Sequence, residues 1–329
     1  MAILYYSKVN VNSNIFSVYE GDISIQDIMD TIYKTLDDKK EYKITDFREF
    51  YDKERGGRLR SVELTEVYNF SELNKSQGKG GKFITGKLVR RYPVSSEKFD
   101  EKSRVSIPVV YPDNSISTSF YFDLESEIIC FFVRNKFGYK QINHAFQNLL
   151  DTHIESVGFQ VFLLPDPYKA QERLKMLHKV RKIKSTIIPP NANEEAIQEL
   201  FDRNTEQLKL GNITRKTNIF ESNKKSEKGL NVQSQIVKET MDVCEVYMQK
   251  GYGKLEVEGE SKDGTTFRYD SEKDSPYNTS IAEDDKDNFS KLIKSAQQGI
   301  KLFLAKKGRT IVDKLSTAIE NLDDSNKLE

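Results

Sequence analysis

From Tyr42 to Val133 the chain reads as strand after strand separated by turns and flexible runs, and this run constrains the fold most. Tyr42 to Tyr51 and Arg58 to Phe70 read as the two strands of a hairpin around Gly56-Gly57. Phe83 to Tyr92 follows through the flexible run Gln77-Gly78-Lys79-Gly80-Gly81-Lys82. Val105 to Tyr111, Ser117 to Phe122 and Glu127 to Val133 supply three more strands, with Asp113-Asn114 and Leu124-Glu125-Ser126 as turns. Parallel neighbours need a connection of a dozen or more residues, so the tight turns at Gly56-Gly57, Asp113-Asn114 and Leu124-Glu125-Ser126 favour antiparallel pairing.

Helical periodicity flanks this run. A strand from Ile3 to Val11 precedes a helix from Ser24 to Leu36, in which Ile25, Ile28, Met29, Ile32 and Leu36 fall on one face and Ser24 with Asp27 resembles a capping box. After Tyr139 a helix carries Ile142, Ala145, Phe146, Leu149 and Leu150, and Val157 to Leu164 is a buried strand. Asp166-Pro167 opens a helix to about His178, Lys182 to Ile188 is a strand, and Pro189-Pro190-Asn191 precedes a helix from Glu194 to Leu208. That order predicts a β-α-β crossover with one parallel strand pair. Residues 209–229 are polar and unpatterned, a linker or long loop. Beyond it, a helix from Val232 to Gln249 places Ile236, Val243, Cys244 and Tyr247 on one side. A hairpin of Lys254 to Glu258 and Thr265 to Tyr269 turns at Asp263-Gly264, a helix runs from Lys286 to Ala305, and a short amphipathic helix follows Gly308. The expected fold is α+β, a mainly antiparallel sheet with flanking helices in residues 1–208 and a small C-terminal helix-hairpin-helix module in 230–329.

Lys plus Arg and Asp plus Glu both number 51, which excludes a surface built throughout for polyanions but not a local patch. The two cysteines, Cys130 and Cys244, lie in apolar runs and read as buried free thiols of a reducing compartment. No apolar run approaches the ~18–20 residues that span a bilayer, and no leader sequence opens the chain, so the expectation is cytoplasmic, with no membrane partner.

Motifs for catalysis are sparse, and no cofactor is expected. His144 and His153 stand nine apart on one helix, the wrong spacing for a shared metal. Arg173 and His178 form an Arg-x4-His pair that resembles the motif of helical defence ribonucleases, in which arginine steadies phosphate and histidine moves protons. Here, however, they lie between two expected strands. Glu260-Ser261-Lys262, with Glu256 and Glu258 upstream, resembles the Glu-x-Lys of metal-dependent nucleases without their aspartate, and charge on an exposed hairpin explains the same letters. Lys79-Gly80-Gly81-Lys82 lacks the spacing of a nucleotide loop. Charge clustering is more informative. Lys79, Lys82, Lys87, Arg90 and Arg91 form one basic group, and Lys175, Lys179, Arg181, Lys182 and Lys184 form another. Both on one face would track phosphates of DNA or RNA; the plainer reading is solvated strand and turn.

The order Phe120-Tyr121-Phe122-Asp123, Phe131-Phe132-Val133, the Phe146 helix, Val157 to Leu164 and Pro189-Pro190-Asn191 resembles the uncharacterised bacterial family DUF4747 over residues 119–191. That resemblance implies a bacterial cytoplasmic protein carried near phage-defence genes, with no catalytic residues to transfer. The leading expectation is a non-catalytic binding protein of a defence or mobile-element system, contacting nucleic acid through the basic groups or a protein partner from the same operon. A nuclease and a structural subunit without nucleic-acid affinity are the alternatives.

Overall fold

Antiparallel pairing dominates as the turns require. The structure, a computed structural model, describes residues 1–52, 58–78, 80–166, 174, 176–191, 204, 206–223 and 228–305. The strands are β1 (Ala2–Val11), β2 (Glu41–Asp52), β3 (Arg58–Gly78), β4 (Gly81–Asp100), β5 (Val105–Asp123), β6 (Ile128–Phe132), β7 (Phe159–Leu163), β8 (Leu177–Ile187), β9 (Lys216–Glu221), β10 (Gly253–Ser261), β11 (Thr266–Asp270) and β12 (Asn278–Ile281). The helices are α1 (Ile15–Tyr19), α2 (Ile25–Thr35), α3 (Tyr139–His153), α4 (Gln235–Gln249), α5 (Ser271–Asp274) and α6 (Phe289–Ala305). Eight strands form one sheet in the order β12-β1-β6-β5-β4-β3-β2, with β7 also paired to β1, and β11-β10-β8-β9 form a second.

Three apolar cores hold these layers. The Ile25/Ile28/Met29/Ile32 face of α2 and the Ile142/Ala145/Phe146/Leu149 face of α3 cover one side of the first sheet, meeting Phe70, Leu88, Phe120 and Phe122. The other side takes Leu292, Ala296, Ile300 and Phe303 of α6 against Tyr6, Tyr121 and Cys130. Gly299 permits this approach, because a Cβ there would stand 1.9 Å from the Tyr6 hydroxyl. In the second sheet, Val180, Ile183, Leu255, Val257 and Tyr269 pack on Val237, Met241, Cys244 and Met248 of α4. Ser24 caps α2 by accepting the Asp27 N–H at 3.0 Å, worth about 1 kcal/mol. Both cysteines are buried and unpaired, and burial pushes the Cys244 thiol up to about 12.

Several expectations need correcting. Val105–Asp123 is one strand, not two, because the chain passes Asp113-Asn114 extended and absorbs the irregularity as a register shift opposite Tyr92 and Val94. No parallel pair exists among the described residues: β7 pairs antiparallel with β1, while β8 lies in the other sheet. β8 begins at Leu177, so His178 is an exposed strand residue and not helical. The polar stretch 209–229 contains β9, an edge strand on β8. On α4 the expected Cys244 and Tyr247 are buried, together with Val237, Met241 and Met248, and Val243 is half-buried, but Ile236 is 66% exposed. Strand pairing also links the expected C-terminal module to the rest of the chain, since β10 pairs with β8 and β12 with β1. The turn at Gly56-Gly57, most of the helix after Pro167, the start of the helix from Glu194, and the tail helix after Gly308 lie outside the described residues. No helix among those described is long and apolar enough to cross a membrane.

Candidate partner-binding surface

Strand alternation distributes the first basic group over both faces of β4. Lys82 and Arg90 share the side of the buried Ile84 and Leu88, and Lys87 and Arg91 take the other. Lys82 pairs with Asp30 of α2 at 2.5 Å and lies over the Tyr33 ring at 4.7 Å. Arg90 is buried, with its Nε and Nη2 on the two carboxylate oxygens of Glu66 at 3.1 and 2.6 Å and its plane over Tyr92. Lys87 pairs with Glu72 at 2.8 Å and Arg91 with Glu41. Glu72 has φ 52 and sits in the β3 bulge between Ser71 and Asn74. Gly86 opposite makes room, since a Cβ there would be 2.7 Å from Leu73.

The second basic group belongs to the other sheet. Arg181 pairs with Glu260 at 2.8 Å, Lys184 with Glu256 at 2.7 Å, and Lys182 with Glu221, while Lys179 is opposite Glu260 in register. Arg91 beside Glu41 and Arg181 beside Glu260 hold those carboxylates below their usual range. These are cross-strand pairs that hold neighbouring strands together. Lys79, Lys175 and Arg173 lie outside the described residues.

The carboxylates near Lys262 are spread along the same outer face, where Glu258 also meets Arg268 at 3.8 Å. Among the described residues no three His, Cys, Asp or Glu side chains are grouped to hold a metal. His144 is exposed against Tyr42, and His153 is buried between the Leu149 carbonyl, at 2.8 Å, and Asp37.

A surface that charge counting did not mark emerges where the first sheet divides. β3 and β4 pair from Gly78↔Gly81 only as far as Val67↔Arg91. Beyond that point β3 stays with β2, from Leu64↔Asp46 to Arg58↔Asp52, and β4 stays with β5, from Val94↔Tyr111 to Asp100↔Val105. β5 meets β6 only at Phe120 to Asp123. The Val94–Tyr111 hairpin is therefore a two-stranded arm with both edges unpaired among the described residues, about 23 Å long at ~3.3 Å per residue. One of its faces carries half-buried Val94 and Val109 with Val105, 50% exposed, and Tyr111, 48%, beside Ser96, Lys98 and Asp100; the other presents Phe99, 56% exposed, and Val110, 38%. Asp100 closes the tip, accepting from the Ser103 hydroxyl at 2.6 Å and the Lys102 N–H at 3.1 Å.

An isolated ribbon is marginally stable in water, and apolar side chains on it gain nothing until covered. Pro93, Pro108 and Pro112 remove backbone donors from its strands and discourage unspecific strand addition, as prolines do on edges. What remains is a face suited to side-chain contact. The alternation Val105-x-Ile107-x-Val109-x-Tyr111 marks a strand with an apolar face in the sequence. Nothing local shows that this face lacks a cover.

No curated protein matches the chain. Residues 34–297 of the 329 match the model of the family described as Domain of unknown function (DUF4747), well over half of the chain and far beyond the apolar blocks at 119–191, and the chain belongs to that family.

Proposed function

We propose that this is a non-catalytic binding protein that docks a protein partner on the β4–β5 arm, within the bacterial cytoplasmic defence or mobile-element setting that the family resemblance implies. The observation that carries the reading is the set of exposed apolar side chains, Phe99, Val105, Val110 and Tyr111, on a ribbon that has no neighbouring strand among the described residues. Phosphate tracking has less support, because Lys82, Lys87, Arg90, Arg91, Arg181, Lys182 and Lys184 each already face a carboxylate. Docking through the C-terminal helix-hairpin-helix stretch is also weaker. Its hairpin is fixed to β8, which among the described residues leaves Ile236, Leu302 and Leu304 as its exposed large aliphatic side chains.

The test compares wild type with Val105→Ser/Tyr111→Ser, two changes of half-exposed side chains, with the melting temperature of each protein measured alongside. Co-purification from the native host is quantified by mass spectrometry, with binding of labelled DNA and RNA followed by anisotropy. Stoichiometric retention of one protein, lost in the variant, supports the reading. Equal retention by both refutes it. Steeply salt-dependent nucleic-acid binding that falls with Arg91→Ala would transfer the function to the basic strand instead.

A further inference from the structure

Helix α3 and the outer face of the second sheet enclose a cleft of about 570 Å³, with β7 as a further wall. Strand register lays its floor in rows. Lys254 of β10, Thr186 of β8 and Thr217 of β9 stand side by side, and in the next row Glu256 lies between Asp270 and Lys184. Arg215 joins the lining two residues before Thr217. The charges of this lining nearly cancel. Lys184 pairs with Glu256 at 2.7 Å, Lys254 with Glu272 at 2.5 Å and Lys140 with Asp270 at 3.8 Å. Arg215 is the cation left over. It is exposed and donates to the neutral side-chain carbonyl of Gln160, which orients the guanidinium and leaves most of its five donors for a ligand.

The uncharged polar groups that line the cleft with Arg215 share its bias towards donation. Gln147 of α3 meets the residue after Gln160, its Oε1 accepting the Val161 N–H at 3.3 Å. One turn earlier on α3 the buried Asn143 accepts the Ser7 hydroxyl on its Oδ1 at 2.9 Å. Both side-chain oxygens are thus spent inside the protein, and what each amide has left to offer the cleft is its NH2 group. The Thr186 and Thr217 hydroxyls are 3.2 Å apart; when one donates to the other, the second keeps its own proton for a ligand. The lysine–glutamate pairs differ from this end. Lys184–Glu256 and Lys254–Glu272 each set a donor and an acceptor side by side, which suits a hydroxyl that donates and accepts at once.

We propose that this cleft binds a small sugar acid, its carboxylate on the Arg215 fork and its hydroxyls along the two lysine–glutamate pairs. A planar guanidinium holds a carboxylate through two parallel hydrogen bonds, and the neighbouring amide and hydroxyl donors can serve the same oxygens. One surplus positive charge matches a monoanion. A phosphate ester, at about −1.5 to −2, would bring uncompensated charge towards Glu256 and Glu272. A volume of this size is ordinary for a small-ligand site.

Calorimetric titration of the full chain with glucuronate and gluconate tests this, with glucose, glucose 6-phosphate and N-acetylalanine as the neutral, more highly charged and hydroxyl-free comparisons. The expected result is saturable one-to-one binding of a sugar acid, about tenfold or more tighter than any comparison, as a charge-assisted hydrogen bond would give. Arg215→Gln, a change at an exposed residue, should bring the acid down to the level of glucose. Gln147→Glu still accepts the Val161 N–H but adds a carboxylate to the donor end, so it should weaken the acid and leave glucose unaltered. Val105→Ser/Tyr111→Ser on the arm should change neither, which separates this site from the docking surface. No saturable binding of either acid at millimolar concentration, a comparison that binds as tightly, or an acid preference that persists in Arg215→Gln would each overturn the assignment.

Discussion

Lys8 and Glu127 form an ion pair at 3.3 Å with side chains only 8% and 6% exposed. Lys8 also donates to the Ser126 carbonyl at 3.0 Å, and Glu127 accepts from Asn191, whose Oδ1 in turn takes the Val11 N–H at 3.0 Å. At an effective dielectric of ~20, charges this far apart attract by roughly 5 kcal/mol, and desolvation of two ions consumes a comparable amount. The pair therefore contributes little net stability while intact. Lys8→Met abolishes the attraction but leaves the Glu127 carboxylate buried, which costs about 3–5 kcal/mol. Set against a total of roughly 5–15 kcal/mol, that endangers folding at physiological temperature. Lys8→Met/Glu127→Gln removes both charges and keeps an acceptor for Asn191, so it should recover most of the loss. Equilibrium urea unfolding followed by circular dichroism measures wild type, Lys8→Met, Glu127→Gln and the double variant, with a constant slope in denaturant as the check on two-state behaviour. A Lys8→Met cost below about 1 kcal/mol, or a double variant as unstable as the sum of its singles, would show that the pair is not desolvated as its burial indicates.

Three further outcomes follow from the packing. Gly299→Ala drives a Cβ into the Tyr6 hydroxyl and should cost about 1–3 kcal/mol, read as a lowered urea midpoint with loss of tyrosine near-ultraviolet signal. Met241→Ala should cost about 2–5 kcal/mol, whereas Ile236→Ala stays within about 0.5 kcal/mol; the reverse ranking would mean that α4 is rotated. Burial raises the Asp151 carboxyl above its ordinary value although it accepts the Phe159 N–H at 2.8 Å. A raised acid adds stability that is complete below its unfolded pKa, near 3.9, and is lost as pH climbs through the folded value. The stability of wild type relative to Asp151→Asn should therefore fall with rising pH across that interval, and parallel pH profiles would contradict it.

Which features were legible depended on how many neighbours an element has. α2 and α3 each press one face on a sheet, so their apolar period and the Ser24 cap predicted them nearly to the residue. α4 carries apolar side chains around much of its circumference, and only the position of the second sheet decides that Val237, Met241, Cys244 and Tyr247 are buried while Ile236 faces solvent. β5 was divided because Asp113-Asn114 is turn chemistry in isolation, yet pairing with β4 holds the chain extended there. β9 escaped notice because an edge strand needs only half-buried Phe220 and Asn218 beneath exposed Thr217 and Ile219. The basic groups were visible as letters, but their counter-ions Asp30, Glu41, Glu66, Glu221 and Glu256 come from other elements. Exposure of the β4–β5 arm is likewise invisible locally, since it results from where β3 and β6 stop pairing.

The strand that opens the chain has partners on β6, β7 and β12, the last reached only at Asn278–Ile281. During synthesis at ~5–20 residues per second, about 15–50 s separate the emergence of β1 from that of β12. Through that interval the backbone groups of Ala2–Tyr5 that β12 will take lack their eventual neighbour, and the α6 side of the first sheet is bare. The nascent polypeptide must wait with a sticky seam open, which makes its yield in a cell depend on translation speed and chaperone supply more than its final stability would suggest.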